Sequence, residues 1–91
     1  MDYKSYHKEV ISMQHRINDT LDDRGHSEAK QLVQLFQKLE DDVQVQKNVH
    51  SIRDQLKRIE SHLRSLDDRV MSHNDVDHFL DWVVDSLRQI R

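Results

Sequence analysis

Seven histidines, at positions 7, 15, 26, 50, 62, 73 and 78, are the side chains here whose chemistry could bind a metal or relay a proton. Their spacing argues against both. No two stand at i and i+4, and neither Glu-x-x-His nor His-x-x-x-Glu occurs, so the signatures of zinc proteases and di-iron bundles are missing. His15 with Asp19 and His50 with Asp54 do share the i,i+4 spacing, yet neither pair has an evident third ligand. His73 with Asp77, beside His78 and Asp81, comes nearest to a site. No metal or other cofactor is expected.

The acidic pairs Asp22-Asp23, Asp41-Asp42 and Asp67-Asp68 are the other chemistry-bearing residues. Neighbours on a helix point about 100° apart, so neither member of a pair converges with the other on one substrate. Glycine-rich loops, nucleophile elbows and serines with a positioned base are not evident, and an enzyme is not expected. Arg53, Lys57, Arg58, Arg64 and Arg69 form the one basic grouping, interrupted by Asp54, Glu60, Asp67 and Asp68. A nucleic-acid-associated regulator using this segment is the alternative reading.

A lone tryptophan, Trp82, sits at the margin of an apolar helical face, where it serves either as a core filler or as an interface anchor. Its off-centre position favours the interface. With Phe79 and Val84 on the same segment, and Leu35 and Phe36 on the broad apolar face of an earlier one, it makes a candidate protein-binding surface.

The elements that must position these residues are all helical. The chain has 91 residues, one glycine, no proline and 34% charged residues, which removes the residue types that most penalise helix interiors. A mean hydropathy of -0.91 leaves material for thin apolar stripes rather than a thick core. Val49, Ile52, Leu56, Ile59, Leu63, Leu66, Val70 and His73 alternate spacings of three and four, a heptad seam that predicts helix pairing. His73 in the eighth seam position would weaken that end on charging if it were buried. Tyr3, Tyr6, Val10, Met13 and Ile17 repeat the spacing. Ala29, Leu32, Val33, Leu35, Phe36, Leu39 and Val43 make a wider face, as do Val76, Phe79, Leu80, Val83, Leu87 and Ile90.

The pattern predicts one domain, residues 1–91, of four helices at about 2–23, 27–46, 49–72 and 74–91, arranged as two antiparallel hairpins. Gly25 is expected to take the left-handed conformation after the first helix, with Ser27 capping the second and Asn74 the fourth, and Asn48 capping the third if the chain breaks between about residues 44 and 49. Around Val43 to Lys47 the apolar phase slips by one residue without a glycine or proline. Either the second and third helices break there and a four-helix bundle closes, or they run through and chains must pair as a coiled-coil-like dimer. The strict seam and sparse core favour a homodimer.

The expected function is a non-enzymatic protein–protein interaction module, a small adaptor, chaperone-like or regulatory protein that self-associates. Its partner's identity is not written in these residues. The formal charge of -3 gives no reason to expect general binding to nucleic acid or anionic membranes. With no cysteine, no long apolar run and no apolar core after Met1, a soluble cytoplasmic setting is expected.

Overall fold

Each stripe buries its own face. Tyr6, Val10, Met13 and Ile17 point inward from the first helix, Leu32, Phe36, Leu39 and Val43 from the second, Ile52, Leu56, Ile59 and Leu63 from the third, and Val76, Phe79 and Val83 from the fourth. The computed structural model describes residues 1–90 as α1 (Tyr3–Thr20), α2 (Ser27–Gln44), α3 (Val49–Arg64) and α4 (His73–Gln89). Successive helices pack against one another in chain order and run antiparallel. The Tyr3 hydroxyl at the start of α1 donates to the Lys47 carbonyl past the end of α2, and His62 near the end of α3 donates to the Glu28 carbonyl at the start of α2. The result is an up-down-up-down four-helix bundle of two hairpins, 35 × 20 × 18 Å. No helix among the described residues is long and apolar enough to cross a membrane.

Helices α2 and α3 are separate. Gln46 takes the left-handed conformation (φ 56°), its amide donates to the Val43 carbonyl (3.0 Å), and the Lys47 amide donates to the Asp42 carbonyl (2.9 Å). These two bonds are the Schellman motif, here built on glutamine. The Asp42 carboxylate is buried, 3% exposed, at the negative end of α2, where the helix dipole opposes it. Lys38 (3.3 Å) and Lys47 (3.4 Å) flank it and offset that cost. The Asn48 side chain then accepts from the Ser51 amide and starts α3, the outcome expected of a break at this point.

The other turns depart from expectation. α1 stops at Thr20, short of residue 23, because Leu21 turns extended into the core and the Asp22 amide pairs with the Val70 carbonyl (2.9 Å). Gly25 is not left-handed; its amide is held instead by Asp23 Oδ1 at 3.1 Å. His26 rather than Ser27 caps α2, its Nδ1 accepting from the Glu28 amide (3.1 Å). α3 ends at Arg64 instead of residue 72, and Val70 and Met71 enter the core from a loop. Ser72, not Asn74, caps α4. His73, the proposed last seam position, is an exposed first residue of α4 with its ring 3.0 Å from Asp68.

Because a non-glycine residue held left-handed costs about 1–2 kcal/mol, and glycine costs roughly 0.5–1 kcal/mol more to order, Gln46→Gly should stabilise the bundle by about 0.5–1 kcal/mol. Urea denaturation checks this: a midpoint unchanged or lowered in Gln46→Gly would contradict the left-handed turn.

Candidate interaction surface

Trp82 closes the bundle. Its ring stacks on Tyr6 of α1 with centroids 5.7 Å apart and planes 5° from parallel, and on Phe36 of α2 at 6.1 Å and 27°. Its indole N–H points to Glu9 Oε1 at 3.4 Å. The marginal position read from the sequence is the edge of α4 that borders α1. There the side chain is half-buried and spans a contact between helices that are not neighbours in the chain.

The remaining candidate binding residues divide by depth. Phe36 and Phe79, 1% and 2% exposed, are core residues of the single chain. Leu35 is half-buried beside Lys57 and Arg58, in a shallow hollow between α2 and α3. Val84 is half-buried along α4, in a hollow edged by Asp77, Asp81 and Asp85 and by Arg64 and Arg88. Of the seam, Ile52, Leu56, Ile59 and Leu63 are buried within the chain, and Val49 and Leu66 pack partly buried against the same core. Val70 reaches it from the loop. The seam thus finds its mates inside one chain.

A residue not singled out from the sequence, Val33, is the large apolar side chain that stays exposed on a helix, at 37%; the others described, Met1 and Val45, lie at the terminus and in a turn. It overhangs a groove between α1 and α2 whose walls include Ile11 and whose floor is Ile17 and Phe36. The groove continues past Asn18 over Leu21 and Ala29. Arg24 and Lys30 edge this end, and Glu40 edges the other. Val33 belongs to the wide second-helix face read from the sequence. Only the packing shows that α3 covers the Leu35 side of that face and leaves the Val33 side open.

The polar candidates are dispersed. His7 sits 3.3 Å from Glu40, His50 3.7 Å from Asp54, and Arg16 donates to His78 at 3.1 Å. Among the described residues no three His, Asp or Glu side chains meet where they could hold a metal ion. The basic grouping also comes apart. Arg53 donates to the Leu87 and Ile90 carbonyls and caps α4, while Arg64 pairs with Glu60 (2.9 Å) and Arg69 with Asp67 (3.1 Å). The Arg69 guanidinium holds the Asp67 carboxyl below the usual carboxylate range, chiefly by their hydrogen bond. No protein family, curated protein or solved structure matches this chain.

Burial pushes the Tyr6 phenol well above its usual 10.0; Ser86 alongside offsets this in part, and the Glu9 charge adds to it. The hydroxyl is enclosed without a well-formed hydrogen bond. The folded chain therefore keeps the proton where the unfolded chain ionises. Stability is whole below about pH 10 and falls as pH rises beyond it, by at most about 1.4 kcal/mol per pH unit from this group. Tyr6→Phe should raise neutral-pH stability by about 1 kcal/mol and flatten the alkaline loss. Urea midpoints at neutral and alkaline pH test both parts, and an unaltered alkaline slope would contradict the burial. Trp82→Ala should cost about 3 kcal/mol, as loss of a packed ring does, whereas a thermal midpoint near wild type would return Trp82 to the role of a free anchor.

Proposed function

We propose that this chain is a non-enzymatic protein-interaction module that associates with itself. The observation that carries the reading is Val33, exposed beside a groove floored by Ile17 and Phe36. Single exposed apolar residues are ordinary on protein surfaces, but this one adjoins half-buried Ile11 and continues into the core floor. Such a surface gains most from being covered by another protein.

The nucleic-acid alternative draws less support. Arg53, Arg64 and Arg69 are engaged within the chain, which leaves Lys57 and Arg58 as the two of the five with no ion-pair partner among the described residues. Counterion release scales with the number of phosphates neutralised, so two cations give little affinity. A cytoplasmic setting belongs to the same proposal and rests on a cysteine-free sequence.

Light scattering tests self-association directly. The expected result is a mass rising toward twice the chain's 11.0 kDa as concentration increases. A mass fixed at 11.0 kDa from about 10 µM to about 1 mM would overturn it.

A further inference from the structure

The outward face of α2 carries Lys30, Gln34, Gln37 and Asp41, spaced four, three and four residues apart and all exposed. At about 100° per residue these four fall within about 60° of one another, a stripe directly beside Val33. Its two ends differ in sign. Lys30 has no ion-pair partner among the described residues, and Asp41 receives only the neutral Gln37 amide, at 3.1 Å. The groove repeats this polarity, with Arg24 beside Lys30 and Glu40 at the far end.

We infer that a second copy of this chain docks on this face, α2 antiparallel to α2, about a two-fold axis passing between Gln34 and Gln37. This rests on the self-association proposed above. Reversing the stripe against its copy sets Lys30 of each chain opposite Asp41 of the other and Gln34 opposite Gln37. Both charges of the stripe then meet their opposites. A parallel pairing would set Lys30 against Lys30 and Asp41 against Asp41, and like charges so placed repel. The same symmetry puts Val33 and its copy on one side of the helix pair, each toward its own α1, so both lose water together.

The charge pattern also selects the occupant. A uniformly basic segment is repelled at the Arg24 and Lys30 end, and a uniformly acidic one at the Glu40 and Asp41 end. A copy of the chain, carrying the same polarity reversed, is matched at both.

The test is a charge exchange read by sedimentation equilibrium. Lys30→Asp and Asp41→Lys should each weaken dimerisation at least about tenfold, because each places two like-charged pairs in the interface. An equimolar mixture of the two variants should recover the doubled mass, since each now supplies the charge the other needs. Val33→Glu should dissociate the dimer and not be rescued. All three positions are exposed, and unchanged circular dichroism melts separate loss of pairing from loss of fold. A wild-type dimer whose variants pair undiminished overturns the face while leaving self-association standing. Weakened variants that the mixture does not restore overturn the antiparallel register. A wild-type monomer at every concentration overturns the self-association reading itself, and this face with it.

Discussion

Closure of the bundle depends on a contact between its first and last helices, and that contact is made by aromatic rings. α1, α2 and α3 each lie against the next along short connections, but α4 must return to α1 to seal the core. The backbones of α1 and α4 approach less closely than the sequential pairs, so a large flat side chain is needed to span the gap. Trp82 lies against Tyr6 and reaches Phe36. The unpaired Tyr6 hydroxyl is the cost of placing a tyrosine under that stack.

The parts of this fold written plainly in the sequence are those where packing and local spacing agree. The inward residues of α1 and the first five seam positions of α3 follow the three-four alternation, and the Asn48 cap follows from its side chain. Leu66 and Val70 keep the same spacing beyond the end of the helix, so periodicity alone extends α3 too far. What stops it is tertiary: the Glu28 carboxylate takes the Asp67 amide at 2.9 Å, and the Val70 carbonyl takes that of Asp22. Gln46 is hidden for the opposite reason. Its left-handed turn has no glycine to announce it and is held by bonds to residues before it. Trp82 was visible at the margin of a broad face and Val33 as a member of another, yet which side faces inward is decided by where neighbouring helices sit.

Charge placement follows a similar division between what the bundle uses and what it leaves over. Buried Asp42 has two lysines, Arg53 closes the end of α4, and Arg69 is folded onto Asp67. These groups have structural tasks and contribute little to an outside partner. Among the described residues Lys30 and Asp41 have no such partner of opposite charge, and they lie beside the exposed Val33. Interaction surfaces combine an apolar centre with a polar rim, and here both occur on one face of one helix.

The order of the helices has a kinetic consequence. α1 with α2, α2 with α3 and α3 with α4 all join segments adjacent in the chain, so the entropy lost on closing each loop is small. The longest-range contact joins α1 to α4, where Trp82 and Glu9 are 73 residues apart; the Asp22–Val70 bond and the Phe36–Trp82 stack also join segments distant in the chain. Topologies dominated by local contacts cross low folding barriers and do so quickly. This bundle belongs to that fast-folding kind, with its hairpins able to assemble locally before the aromatic stack brings the chain's two ends together.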